Sequence, residues 1–507
     1  MPERPHPYTA VHDEPFPELL GNIDQVTVSA DGQWIAASSV WHRLSRVVVY
    51  RAADLSRAHL LTFDVEAEPI AFHPTIPLLA IGLDNGDAYQ RAGGLTLFEA
   101  DSGHRVDFAD PGRGVELVRW ADDRTLELTF LSVDLDNGCE FLTSRARAVR
   151  DDWRDLVPDA LDLTAVDGPP LDPDTPVGYP DTPVRPVLQA LAARAGRSCT
   201  GRGGVGVVAG LSDGRVLATR HHVALESRAP DGSPQWSVPA PSPSGGTRIL
   251  VSPDERTARV VAPDFRDGSD LLLVDLADGT VLDRSSLPFP AGLCARTDGV
   301  WAIGHASGQG KGADSPEPPA TRVFAADGTP LRTVRHEPAD DDPVGADPVG
   351  DDAVADEPAG DAFLPLDVRR CPELLFLRRR GDVVALDPRS ATERVLFTAD
   401  EPLGGTVYVS DTEGPALLHG RREVVRRSFP AGEVVWRRDL GAAATALDAR
   451  DGVLHALCED GTLVSLATAD GALLDRRALP PYRALSLHAA PDGTVLVGTV
   501  AGQILRY

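Results

Sequence analysis

Several short stretches hold residue types that could do chemistry. Gly304-His305-Ala306-Ser307-Gly308-Gln309-Gly310-Lys311-Gly312 follows an apolar run, 300–303. A phosphate-cradling loop needs glycine six residues before its lysine, for close backbone approach. It needs Ser or Thr just after the lysine, to ligate the metal. His305 and Gly312 hold those places, and Asp314-Ser315-Pro316 stands where a helix should begin, so the stretch reads as a surface loop. Asp134-Leu135-Asp136-Asn137-Gly138-Cys139-Glu140 alternates carboxylates as calcium loops do, but too few oxygen ligands are local. Asp84-Asn85-Gly86 occupies the matching place one unit earlier, and Asn-Gly there signals a hairpin turn. His221-His222 ends a strand; neighbouring strand residues point to opposite sides and cannot share one ion in extended geometry. The five cysteines (Cys139, Cys199, Cys294, Cys371, Cys458) form no CxxC pair. They read as buried free thiols of a reducing compartment. No Gly-x-Ser-x-Gly elbow and no HExxH occurs. These patterns call for no cofactor and no metal. Catalysis assembled from residues far apart in sequence stays open.

Composition narrows the function classes. The 507 residues carry a formal net charge of −27, with a pI near 4.8. Phosphate binding needs clustered Lys and Arg, so neither a nucleic acid nor an anionic membrane is the expected partner. Lys311 is the sole lysine and Met1 the sole methionine, a bias that suggests a GC-rich bacterial source. The N-terminus lacks an apolar signal stretch, and no run of about 18 apolar residues occurs. A cytoplasmic protein is expected.

The elements that must position any site come from a repeat. A short apolar strand, an acidic turn ending in Gly and a second strand recur at Ala100-Asp101-Ser102-Gly103, Ala277-Asp278-Gly279, Ala326-Asp327-Gly328 and Ala469-Asp470-Gly471. Looser copies end at Gly232 and Gly432. The steps between neighbouring copies are 47, 49 and 39 residues, within the range of propeller blades. Asp-Gly between Val/Leu-rich runs is a hairpin signal. Four antiparallel strands joined by tight turns make one blade. Ten units start near Asp24, Glu68, Arg113, Cys199, Gly246, Ala291, Phe363, Gly404, Ala442 and Ala484. The expected class is all-β, a β-propeller of four-stranded antiparallel blades. One large ring over 1–507 competes with a seven-unit ring over 199–507 plus three extra units. The tenth unit lacks a fourth strand, and 15–20 is the candidate to close it. Three inserts interrupt the repeat: Pro-rich 157–198 with a helix at 186–195, loop 307–320, and 337–361, which has ten acidic and no basic residues. The last cannot bury enough apolar surface to order itself.

The Asp-Gly turns resemble the broad propeller superfamily of WD-repeat and quinoprotein-like proteins. Ala229-Pro230-Asp231-Gly232-Ser233-Pro234-Gln235-Trp236 is similar to the quinoprotein-type repeat, and its tryptophan recurs at Trp436. The Gly-His and Trp-Asp pairs of WD repeats do not recur. The resemblance implies the fold and carries over no cofactor site.

With the strands of a unit named a to d, the a–b and c–d turns share one end of a blade, and the b–c and d–a links share the other. The long and polar insertions are placed on the latter. Loops on a rigid scaffold carry function, so a binding face is expected there. Its candidates are His42, Arg43, Asp84, Asn85, Asp87, Tyr89, Asp134, Asp136, Asn137, His222, Phe265, Arg266 and His305. The reading is a non-catalytic platform for a protein or peptide partner. The alternative is a propeller enzyme, a lactonase-like hydrolase or quinone-dependent dehydrogenase, with ligands converging on the central channel.

Overall fold

The computed structural model describes residues 9–12, 18–19, 23–41, 44–87, 90–134, 140–155, 157, 160–171, 184–194, 204–242, 244–264, 268–305, 320–335, 363–378, 381–390, 392–399, 403–479, 484–500 and 502–507. The acidic insert 337–361 and most of the insert 307–320 lie outside them.

Strands dominate because the Asp-Gly turns close them. Asp31, Asp213, Asp278, Asp327, Asp460 and Asp492 each accept, through a side-chain oxygen, the backbone N–H two residues on. That bond mimics a backbone turn and explains the recurring aspartate. Among the described residues ten antiparallel sheets form where ten units were counted, nine with four strands and one with three.

The sheets fall into two compact units. The larger comprises Met1–His12, Val205–Thr499 and Gln503–Tyr507; the smaller, Asp13–Gly204 and Val500–Gly502.

The larger unit holds seven sheets, taken here as blades one to seven. They begin with strands Val205–Gly210, Arg248–Val251, Ala291–Ala295, Phe363–Pro365, Gly405–Asp411, Ala444–Arg450 and Ala484–Ala489. Each apolar cluster joins one blade to the next. Leu217 and Leu225 meet Val260 and Leu272. Val261 meets Leu293 and Trp301; Val323 meets Phe376 and Val384. Leu375 and Val383 meet Leu417, while Leu418 meets Leu454 and Val464. Leu457 and Leu463 meet Leu487 and Val497, and Leu496 and Ile504 meet Val205, Val208 and Val216. The last contact returns to the first blade, so the seven sheets close a propeller ring. Each such side chain contributes about 1.5–3 kcal/mol on burial.

The seventh blade takes its outer strand from Thr9–His12, which pairs antiparallel with Ile504–Arg506. The segment 15–20 does not supply it. Leu19 is instead fully buried beside Ile35, Val48 and Tyr50 of the smaller unit. An apolar leucine gains more from that core than from an edge strand, where one face stays wet.

A glycine is required where one blade docks on the next. Gly279 and Gly471 have φ of +79° and +71°. A Cβ there would lie 2.7 Å and 2.9 Å from the indoles of Trp236 and Trp436. Each tryptophan thus packs over the c–d turn of the following blade. Phe397 packs likewise on Gly432. The tryptophans of the quinoprotein-like repeat are inter-blade contacts.

In the smaller unit three sheets stack. Val47, Val49 and Phe63 of the first meet Leu79, Ile81 and Phe98 of the second. Leu95 and Phe108 of the second share a core with Leu126, Leu128 and Phe130 of the third. A stack without closure leaves two outer faces, and each is managed differently. Helix Val184–Arg194 lays Leu188 and Leu191 on Ile35 and Val48 of the first sheet. It starts two residues before the 186–195 expected, because Pro186 still falls in the first turn, where its missing N–H is no loss. The third sheet carries the buried Glu127, paired with Arg119 and Arg147. This sheet has three strands; Pro170 bridges Ser144 where a fourth would pair.

Candidate interaction face

Strand ends decide which links share a face. In the larger unit the c–d turns are five or six residues, such as 276–280 and 387–392. The b–c and d–a links include 306–319 and 336–362. In the smaller unit the longest link between described strands of a sheet is again b–c, 85–92. The a–b end has one exception, which the sequence does not signal. The turn 366–373 of the fourth blade is eight residues long and carries Arg369 and Arg370. No hairpin motif marks it, because its length is spent in crossing the ring.

Three candidates gather in the smaller unit. Asp84 ends the strand Leu78–Asp84 and binds Arg91 Nε at 3.0 Å, with Gly86 N donating to its other oxygen at 2.9 Å. Asn85 accepts from Asp87 N and Ala92 N, both at 3.1 Å, and donates to Gln90 O at 2.7 Å. Asp87 accepts from Gln90 N at 3.0 Å. These side chains hold their own loop in shape, as the turn reading expects. A Cβ on Gly114 would fall 2.3 Å from the Asp84 carboxyl carbon, so the third sheet packs directly on that carboxylate.

Sequence reasoning missed the carboxylates around them. Asp24, Glu66, Glu68 and Glu116 lie near one another in this unit. Burial, with Glu68 and Glu66 nearby, pushes the Asp24 carboxyl up to about 7, against a hydrogen bond from Val40 N. Glu66 is raised by burial and by Asp84; Glu68 is raised by burial, Glu66 and Glu116. Their only sequence signal is Glu66-Ala67-Glu68 ahead of a strand, which many exposed links share.

In the larger unit, His221 and His222 form the two-residue b–c turn of the first blade. His222 has φ +61° and the two rings meet edge-on at 4.2 Å. The pair is therefore a turn rather than a strand end, and it is packed together. His305 ends its strand stacked on Phe289, with ring centres 4.1 Å apart, and burial lowers its pKa. His42, Arg43, Tyr89, Asp136, Asn137, Phe265 and Arg266 lie outside the described residues. Asp134 closes the strand Thr125–Asp134, but its side chain is outside them. Most of the lysine-bearing glycine loop and of the 134–140 stretch is outside as well.

Among the described residues no group of three or more His, Cys, Asp or Glu is placed to hold a metal. Cys294, Cys371 and Cys458 are free and buried. No helix among the described residues is long and apolar enough to cross a membrane.

No protein-family model matches the chain, and no curated protein matches it. Among solved structures that match is "Crystal Structure of Mitotic Checkpoint Complex". It is 13% identical, with a TM-score of 0.46, over 60% of this chain and 90% of that one. A likeness of that size says nothing of what this chain binds.

Proposed function

We propose that the chain is a non-catalytic interaction platform that docks a protein or peptide on the face formed by its b–c and d–a links. One observation carries the reading. The c–d turns are short, while 306–319 and 336–362 both leave from the opposite end of the same ring. A rigid ring tolerates such lengths where the loops work rather than pack. The partner chemistry favoured is a segment bearing arginine or lysine. It would complement the acidic 337–361 and the net charge of −27, and such complementarity steers encounter.

The test is selection of a displayed peptide library on the full chain at pH 7.5. Enriched peptides should be basic. They should bind a chain lacking 337–361, or carrying Phe289→Ala, less tightly than the parent. Substitution at the other end, as in Asp278→Asn, should leave binding unchanged. Equal binding to the loop variants would remove the proposed face.

A further inference from the structure

The exceptional turn 366–373 belongs to the fourth blade, yet its side chains end on the sixth and seventh. Arg369 donates through Nη1 to Asp448 Oδ2 at 2.9 Å and to Leu487 O at 3.3 Å, and also contacts His488. Arg370 donates to Asp448 Oδ1 and to Ala449 O. Thr297 N of the third blade donates to Cys371 O at 3.0 Å, tethering the far side of the turn. Asp448 lies on the first strand of the sixth blade and His488 on that of the seventh. The turn therefore spans the a–b end of the ring, where the first strands converge.

Asp448 is fully buried and saturated. Besides the arginines, Ala449 N and Ala489 N each donate to it at 2.9 Å, and His488 Nδ1 lies at 3.2 Å. Its needs leave much of the basic cluster unused. Among the described residues every bond of Arg369 and Arg370 runs through Nη1 or Nη2 alone, and their side chains remain 27% and 31% exposed. Arg450 follows Ala449, which Arg370 touches. Its sole ion-pair partner among the described residues is Asp451, at 4.0 Å and 81% exposed. Two guanidinium groups thus meet on one carboxylate that is already satisfied, and Arg450 lies near enough to Arg370 to act on its charge. Arg370 also holds a non-glycine backbone at φ +62°, a strain that persists where the surroundings require a set direction. Burial, Arg369 and Arg450 all depress its pKa, with Asp448 opposing. Three guanidinium groups here face two carboxylates, Asp448 and Asp451, an excess of one positive charge in a chain of net charge −27.

We propose that Arg369, Arg370 and Arg450 form an oxyanion site, of phosphate type, at the a–b end of the ring. The planar guanidinium fork matches phosphate oxygens two at a time, and an added anion would neutralise the charge that Asp448 and the exposed Asp451 leave over. The ligand is a small phosphate-bearing solute, free phosphate being the simplest. The site is at the opposite end from the proposed docking face and does not depend on it.

The experiment measures binding of inorganic phosphate to the full chain by isothermal titration and by thermal midpoint, beside potassium chloride at matched ionic strength. Phosphate should raise the midpoint and chloride should not. Arg450→Gln should weaken phosphate about tenfold, as loss of one charge-assisted contact does. Asp451→Asn should bind at least as well as the parent. Equal midpoints in phosphate and chloride would overturn the site, as would undiminished affinity in Arg450→Gln. Should that variant fail to fold, Arg450→Lys keeps the charge and loses the fork. A severalfold loss there supports the site, and parent-like affinity overturns it.

Discussion

Replacing Asp448 by Asn tests how much of the ring depends on one buried carboxylate. The substitution keeps the shape and one acceptor oxygen and removes the charge. Asp448 takes bonds from Arg369, Arg370 and two backbone amides, with His488 beside it. Although burial alone would raise its pKa, Arg369, His488 and Arg370 hold the carboxyl well below the usual range. In the variant two guanidinium groups on the 366–373 turn lose their counter-charge. Breaking a buried pair from one side costs about 3–5 kcal/mol. With a larger domain shifting roughly 2 °C per kcal/mol, the midpoint should fall by about 6–10 °C. Calorimetry at pH 7 beside the parent measures it. Asp451→Asn, at an 81% exposed position, is the control and should lie within about 0.5 kcal/mol of the parent. An Asp448→Asn midpoint equal to that of Asp451→Asn would refute the reasoning. The pH dependence has a definite sign. A depressed folded pKa gives stability that is fully present above the unfolded value, near 4, and is lost only as pH falls below it.

Other outcomes follow from single residues. Gly471→Ala should destabilise clearly more than Gly452→Ala: both have positive φ, but only Gly471 would meet an indole, at 2.9 Å, while Gly452 has nothing within 4 Å. Equal melting of the two would mean that Trp436 does not fill that space. Leu188→Ala should cost about 2–5 kcal/mol by uncovering the first sheet of the smaller unit, read as earlier loss of protection in hydrogen exchange of Trp34–Trp41. Asp24 has a raised pKa of about 7, so its contribution is full below about 4 and is lost as pH rises through 7. Asp24→Asn should therefore be more stable than the parent at pH 8 and should flatten the stability profile between those values; an unchanged profile would exclude Asp24 as its source.

The sequence carried the local code well. Asp-Gly turns such as Glu459-Asp460-Gly461 act through their own side chain and backbone, with Asp460 bonding Thr462 N at 3.0 Å, so they can be read without knowing neighbours. The ten sheets and the end on which the long links lie follow from those turns and from strand alternation. Of the binding-face candidates, Asp84 and Asn85 hold their own loop, because hydrogen bonds across it are set only when it closes. Tertiary structure alone decided the rest. Leu19 and Thr9–His12 lie close in sequence yet serve different units, and which stretch pairs depends on where an unpaired edge arrives in space. Arg369 and Arg370 meet Asp448 and His488 across about 80 to 120 residues. No short-range pattern encodes such a meeting: it exists because ring closure brings the first strands of separate blades to one axis.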